Sequence, residues 1–137
     1  NDKIGSWIID QLILELIREG NRIDRLDILL LGVTFKENCP DIRNSGVFQL
    51  IKRLTLYGIN ITAVDPWANQ NEFTEYSELQ LHREIPNNKK FKAIIAAVSH
   101  REYELITLED WQKIGYDNSI YIDIKGIIPR EINAIRL

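Results

Sequence analysis

LLLGVTFKENCPDIRNS, residues 29–45, is the stretch of this sequence that decides the fold. It opens with an apolar run, which is typical of a strand buried on both faces of a sheet. It ends at Asn44 and Ser45, two good helix N-cap residues, and an apolar pattern with helical spacing follows them. The stretch therefore predicts a strand, then a long polar loop, then a helix.

The predicted loop carries several polar side chains, among them Lys36, Asn38, Asp41 and Arg43. In open α/β sheets, ligands bind where the carboxyl ends of strands meet helix N-termini. Two cations in such a loop suit an anionic ligand, such as a phosphate or a diphosphate. The alternative is that both cations are solvated and that Asp41 pairs with Arg43. Spacing alone leaves these two interpretations open.

The residues from Gly32 to Ser45 resemble the UDP-binding domain of the UDP-glucose/GDP-mannose dehydrogenase family. The resemblance is greatest to the branch that acts on UDP-N-acetylhexosamines. The segment 60–67 resembles that family's next strand and its Asp-Pro turn, and the segment 121–126 resembles a later part of the same domain. The opening residues, 1–3, resemble the end of the helix that joins the two halves of such enzymes. The resemblance covers nearly the whole chain.

This resemblance implies an enzyme that oxidises C6 of a UDP-sugar to a uronic acid in two NAD-dependent steps, for surface polysaccharide. It implies that Phe35 and Lys36 contact the sugar diphosphate, that Lys125 lies near the UDP, and that Arg43 reaches toward the NAD. In that family an earlier domain binds most of the NAD and carries the catalytic cysteine. The chain alone is therefore expected to lack catalytic residues and dehydrogenase activity. The resemblance also implies a full-length homodimer, paired through the linker helix.

Composition describes an ordinary globular domain of 137 residues, 45% hydrophobic and 27% charged. A net charge of −3 argues against general nucleic-acid binding. The single cysteine, Cys39, excludes an intramolecular disulfide and fits a reducing compartment such as the cytoplasm. The apolar segment 7–17 is too short and too polar to span a membrane. The sequence starts at Asn1 without Met, which suggests a piece of a longer protein.

Predicted strands and helices alternate along the chain, which indicates an α/β fold. We expect a Rossmann-like three-layer sandwich with a mainly parallel sheet, in which residues 1–22 end an interdomain linker helix and 23–137 form the UDP-sugar-binding domain. Apolar spacing predicts a first helix whose stripe either covers its own sheet or partly faces another domain or subunit. The predicted strands are Asp27–Val33, Asn60–Val64, Phe91–Val98 and Ser119–Ile124, and the predicted helices are Lys3–Glu19, Ser45–Tyr57, a short one near Phe73–Leu81, and one within Tyr103–Ile114.

Asp65, His100 and Cys39 are residue types with possible chemical roles, but the surrounding sequence does not support such a role for any of them. Asp65 ends the second strand, where a Rossmann protein keeps its ribose-binding acid, but Gly32 stands alone without the rest of a dinucleotide fingerprint, so we interpret Asp65 as a turn former. His100 follows a strand and could be a general base, but it has no evident partner, so surface polarity is the favoured interpretation. Two histidines without clustered cysteines or acids predict no metal site. Cys39 is interpreted as structural.

Parallel strands bring their carboxyl ends to one edge of the sheet, and this gives the strongest argument from the residues alone. Lys125 follows the last predicted strand, and Lys36 and Arg43 follow the first. The three cations are therefore predicted to converge on one anionic ligand, which a nucleoside diphosphate would satisfy better than a neutral molecule. The alternative from another class is a stand-alone nucleotide-binding or interaction module without catalysis.

Overall fold

The computed structural model describes residues 2–137, with side chains described from Gly5 onward. The described residues form one six-stranded sheet in the order β3-β2-β1-β4-β5-β6, and every neighbouring pair is parallel. The strands are β1 Asp27–Leu31, β2 Asn60–Val64, β3 Leu81–His82, β4 Phe91–Ala96, β5 Gly115–Asp123 and β6 Ala134–Arg136. The helices are α1 Asp2–Arg18, α2 Val47–Leu56, α3 Gln70–Phe73, α4 Arg101–Glu104 and α5 Leu108–Ile114, with a 3₁₀ turn at Ile23–Arg25. The predicted α/β class is confirmed.

Strand β1 shows why the fold has three layers. Ile28 and Leu30 point to one face of the sheet, and Leu29 and Leu31 point to the other, and all four are buried. The first face packs against apolar side chains of α1 and α2, and the second packs against Tyr103 and Trp111 of the short helices α4 and α5 among other residues. An uninterrupted apolar run is therefore the pattern that this central strand requires.

Helix α1 is an integral part of the first layer. Its buried stripe comprises Ile8, Ile9, Leu12 and Leu16, which join the same cluster as the sheet residues. The prediction that the stripe covers its own sheet is confirmed for these residues. The opposite side of the helix leaves three large apolar side chains exposed, namely Trp7, Leu14 and Ile17. The division of the chain at residue 22 stays a prediction.

Several predicted elements differ from the structure. The short helix expected at Phe73–Leu81 is wrong: the helix there is α3, which ends at Phe73, and Leu81 begins strand β3. Four strands were expected, and the described residues contain six. The two additional strands, β3 and β6, are edge strands of only two and three residues, too short for a period-two pattern. Helix α2 begins at Val47 with Gly46 as its N-cap residue, so Asn44 and Ser45 lie just before the cap that we predicted them to form.

None of the helices that the structure describes is long and apolar enough to cross a membrane.

Candidate functional site

The strand order places a crevice at the carboxyl edge of the sheet. From the central strand β1 the chain moves outward through β2 to β3, then returns to pair β4 with the other side of β1. The loops that follow β1 and β4 therefore leave the sheet in different directions. In open parallel sheets such a switch point is where ligands bind.

Gly32 lets the two central loops meet at the floor of this crevice. Its φ is +95°, in the left-handed region, and its N–H donates to Val64 O at 2.8 Å. A Cβ at this position would lie 2.4 Å from the Cβ of Val98 and 2.9 Å from its backbone N. Only glycine therefore fits at this position. The missing side chain allows the end of β1 and the loop after β4 to pack closely together.

The loop after β1 presents the predicted substrate residues to solvent. Its neck is closed by a 2.7 Å hydrogen bond from Phe35 N to Asp41 O. Phe35 is 56% exposed although it is a large apolar side chain. Lys36 is also exposed, and among the residues with described side chains, 5–137, its ammonium group has no hydrogen-bond or ion-pair partner. An exposed aromatic ring beside an uncompensated cation is what a nucleotide diphosphate would bind.

Asp65 forms the turn after β2, and its carboxylate also connects the loops after β1 and β4. Its Oδ1 accepts from the N–H groups of Trp67 at 2.7 Å and Ala68 at 2.9 Å, as a turn former does. Its Oδ2 accepts from Val33 N at 2.7 Å and lies 2.9 Å from Nε2 of His100. Burial alone would raise the pKa of Asp65, but the hydrogen bonds from His100, Val33 and Trp67 outweigh burial and lower it.

His100 is completely buried, so its interpretation as surface polarity is wrong. Its ring lies between the loops after β1, β2 and β4. The backbone N–H of Asn38 donates to Nδ1 at 3.0 Å, while Nε2 faces Asp65 Oδ2 at 2.9 Å and Thr34 Oγ1 at 3.2 Å. Asp65 follows β2 and His100 follows β4, and both of these strands pair with β1. The positions of the two residues just after neighbouring strands are the only feature of the sequence that could have predicted their contact.

Asn38 completes this connection between the loops. Its φ is +55°, an unusual value for a residue other than glycine. Its side-chain Oδ1 accepts from the backbone N–H of Arg101 at 2.8 Å. The Arg101 guanidinium stacks 4.8 Å from the centre of the Trp67 ring. Arg101 is thus a further cation at this edge, which the sequence pattern did not indicate.

Arg43 pairs with Asp41, as one of the two open interpretations proposed. Its Nε and Nη2 both donate to the Asp41 carboxylate at 3.1 Å. This pairing lowers the pKa of Asp41 and raises that of Arg43. The side chain of Arg43 is nevertheless 73% exposed. Because water screens such a pair, it contributes little to stability and leaves the guanidinium accessible to another anion.

Lys125 lies on a second loop, which follows β5 and is built around Asp123. The buried carboxylate of Asp123 accepts from the N–H groups of Gly126, Ile127 and Ile128 at 2.8 to 3.0 Å. Gly126 has a φ of +81°, which turns the chain back toward β6. Lys125 stands exposed just before that turn. A single buried acid therefore shapes the loop that carries this lysine.

The sequence matches the UDP-binding domain of the UDP-glucose/GDP-mannose dehydrogenase family over residues 29–130. The chain belongs to this family. It is 34% identical over its whole length to UDP-N-acetyl-D-glucosamine 6-dehydrogenase of Salmonella typhi, and covers 32% of that protein. It is 36% identical to Protein CapL of Staphylococcus aureus, over 93% of this chain and 30% of CapL. The chain thus spans about a third of the length of these relatives.

A solved structure supports the fold of this UDP-binding domain. NDP-N-acetyl-D-galactosaminuronic acid dehydrogenase from Methanosarcina mazei Go1 superposes with a TM-score of 0.79 at 18% identity, over 96% of this chain and 27% of that one. At this identity the likeness concerns the fold alone.

The structure brings some of the expected residues of this UDP-binding domain together and separates others. Phe35, Lys36 and Arg43 share one loop. Lys125 lies on the same edge of the sheet, but β4 separates β5 from β1, so the two loops start roughly 10 Å apart, two strand spacings. The convergence of Lys36, Arg43 and Lys125 on one anionic ligand stays a prediction.

Two other features of the domain lie outside this arrangement. A concavity of about 890 Å³ lies between α1, the start of β5 and the segment before β6, and the charged residues that line it are all acidic: Glu15, Glu19, Asp117 and Glu131. Such a lining disfavours a diphosphate. Within the described part of the chain, no group of three or more His, Cys, Asp or Glu side chains could hold a metal ion.

Proposed function

We propose that this chain holds the UDP part of a UDP-sugar for an NAD-dependent 6-dehydrogenase, which oxidises C6 of the sugar to a carboxylate. Membership of the family supports a UDP ligand. The observation that carries the assignment to residues is the pair of exposed lysines, Lys36 and Lys125, on two separate loops at the same carboxyl edge. A UDP-sugar carries its negative charge on the diphosphate, which is the group that cations from both loops would bind.

In this proposal Lys36 and Lys125 neutralise the diphosphate, and the ring of Phe35 packs against the ligand. The rigid sheet fixes both loops, so the sugar is held in one orientation and less entropy is lost on reaching the transition state. The catalytic chemistry belongs to the rest of the enzyme. The 137-residue chain alone is accordingly expected to show no dehydrogenase activity.

The loop after β1 does not have the residues of a dinucleotide-binding site for NAD. The loop after β1 has one glycine, Gly32, and the space that a bound pyrophosphate would need beside it is filled by Val98. We therefore place most of the NAD contacts in the part of the enzyme that precedes this domain. Arg43 remains our proposed contact toward the cofactor, because its guanidinium is exposed at the rim of the crevice.

The relatives narrow the proposed sugar and its context. One is a UDP-N-acetyl-D-glucosamine 6-dehydrogenase and another a UDP-N-acetyl-D-mannosamine dehydrogenase. We propose a UDP-N-acetylhexosamine as the substrate and a uronic acid for surface polysaccharide, made in the cytoplasm, as the product. We also propose that the full-length enzyme is a homodimer, and the exposed apolar side of α1, formed by Trp7, Leu14 and Ile17, supports this.

The test is a titration of the 137-residue chain with UDP, followed by amide NMR shifts. We expect the residues of both loops, 35–43 and 123–127, to shift together. Lys36→Ala and Lys125→Ala should each weaken binding about tenfold, since a charge-assisted hydrogen bond contributes roughly 1.5–3 kcal/mol. Lys90→Ala is the matched control, because Lys90 is an equally exposed lysine that precedes β4 and lies at the opposite edge.

Absence of any shift at millimolar UDP, or equal effects of all three substitutions, would overturn the proposal. The alternative of a module without catalysis shares the UDP site. A dehydrogenase assay of the full-length protein separates the two, because only the enzyme would reduce NAD with a UDP-N-acetylhexosamine.

A further inference from the structure

We propose that His100 is a positioning residue for the substrate loop: through Nδ1 it holds the backbone of Asn38 and so fixes the place of Lys36. This inference rests on the proposed function, because it concerns how the UDP-binding lysine is presented. His100 itself is fully buried and does not touch the crevice surface. It acts through the loop that lies over it.

The hydrogen bonds fix the protonation pattern of the His100 ring. The Asn38 N–H is a donor only, so Nδ1, at 3.0 Å, must carry a lone pair. The proton of the neutral ring is then on Nε2, where it donates to the Asp65 carboxylate at 2.9 Å. Asp65 thereby selects the tautomer that leaves Nδ1 free to accept, as an acid does for an imidazole in many sites.

Residues before and after Lys36 in the sequence both contact the His100 ring. Thr34 lies two residues before Lys36. Its Oγ1 donates to the carbonyl of Lys36 at 2.9 Å and lies 3.2 Å from His100 Nε2. On the other side, Asn38 is held by its N–H to His100 and by its Oδ1 to Arg101 N. The backbone of Lys36 is thus clamped between two residues that both contact one imidazole.

The conformation of Asn38 explains why such an anchor is needed. Its φ of +55° lies in the left-handed region, which asparagine tolerates better than most residues but adopts less readily than the common α and β regions. A loop released from His100 would relax toward commoner backbone conformations. Lys36 would then sample many positions, and UDP binding would have to order the loop first.

Two substitutions of His100 separate its two hydrogen bonds. In His100→Asn the amide oxygen replaces Nδ1, so the bond from Asn38 is kept and the contact with Asp65 is lost. In His100→Gln the amide nitrogen replaces Nε2, so the contact with Asp65 is kept and the bond from Asn38 is lost. UDP affinity and the free energy of unfolding are measured for both variants in the 137-residue chain.

We expect the affinity for UDP to stay within about threefold of the wild type in His100→Asn and to fall about tenfold in His100→Gln. Stability should follow the reverse order, because His100→Asn leaves the buried carboxylate of Asp65 with one partner fewer. A role limited to holding the fold together predicts that affinity follows stability. Equal affinities in both variants, or affinities that follow stability, would overturn the inference.

Failure of the inference is distinguishable from failure of the proposed function. If wild-type chain does not bind UDP, or if Lys36→Ala binds as tightly as the wild type, the proposed function falls and the inference with it. If Lys36→Ala weakens binding while His100→Gln does not, only the inference falls. Should neither His100 variant fold, the ¹⁵N NMR shifts of the His100 ring in the wild-type chain decide: a proton on Nε2 and none on Nδ1 supports the inference, and a proton on Nδ1 overturns it.

Discussion

The guanidinium of Arg136, on the edge strand β6, donates from Nη1 to Oδ2 of the buried Asp123 carboxylate at 2.6 Å. The same side chain also donates to the backbone carbonyls of Ile128, Pro129 and Ile132 at 3.0 to 3.1 Å. The last residues of the sheet thus close the loop that presents Lys125. This relationship gives the first of four predictions.

We expect Arg136→Ala to lower the free energy of unfolding by about 3 kcal/mol, because removing one partner leaves a buried carboxylate without its counter-charge. Affinity for UDP should also fall severalfold, because the loop around Lys125 loses its closure. Urea unfolding and UDP titration measure the two effects. Arg130→Ala is the control, since Arg130 is exposed on the same loop; an equal loss of stability in both variants would contradict the prediction.

We expect Asp65→Asn to cost roughly 3 kcal/mol of unfolding free energy at neutral pH. In the wild type both carboxylate oxygens accept hydrogen bonds from backbone N–H groups. The amide of asparagine has only one acceptor oxygen, so in either orientation its NH₂ group would face at least one backbone N–H donor. Those donors are the N–H groups of Val33, Trp67 and Ala68.

The pH dependence of this difference has a definite sign. The pKa of Asp65 is lowered in the folded chain, so its contribution is fully present above the unfolded value of about 3.9 and is lost as pH falls through the folded pKa. The stability difference between wild type and Asp65→Asn should therefore shrink below about pH 4. A difference that stays constant from neutral pH into that acid range would show that the carboxylate charge does not matter.

We expect Gly32→Ala to destabilise the chain by more than 3 kcal/mol, because the new Cβ meets Val98 at 2.4 Å and the backbone has a φ of +95°. Gly5→Ala is the matched control. Gly5 lies inside α1 with nothing within 4 Å of an added Cβ, so alanine there should stabilise the helix by roughly 0.5–1 kcal/mol. Thermal unfolding of both variants checks the opposite signs.

We expect Leu12→Ala to cost about 3 kcal/mol, since Leu12 is fully buried in the layer that α1 shares with the sheet. Leu14→Ala makes the same chemical change two residues along the same helix, where the side chain is 42% exposed, and should cost less than about 1 kcal/mol. Comparable losses at both positions would mean that the exposed side of α1 is covered in solution, for instance by a second copy of the chain.

The interior of the sheet could be predicted from the sequence because each central strand is a continuous apolar run. The edge strands could not, because β3 and β6 have too few residues to show a period, and Leu81 is the one apolar residue of β3. The helix near Phe73 was misplaced for a similar reason: α3 has only four residues, and the polar pattern around it has no periodicity.

The candidate site divides in the same way. Exposed loop residues such as Lys36 and Lys125 follow strand ends, so their place on one edge of a parallel sheet was predictable. The network beneath them was not. His100 and Asp65 lie 35 positions apart in the chain, and their burial depends on loops folding over them, which local sequence does not report. Asn38 was named for its polarity, whereas its left-handed backbone is what the loop uses.

The parallel pairing of β1 with β4 also constrains how the chain reaches this structure. Ile28 stands in register with Ala93, so the centre of the sheet cannot close until strand β4 has been synthesised. Every other strand pair likewise waits for a crossover, since none of them is a hairpin. Contacts so distant in sequence make folding slower than that of a helical bundle, whose contacts are mostly local. On a ribosome the apolar stripe of α1 would emerge well before the strands that cover it.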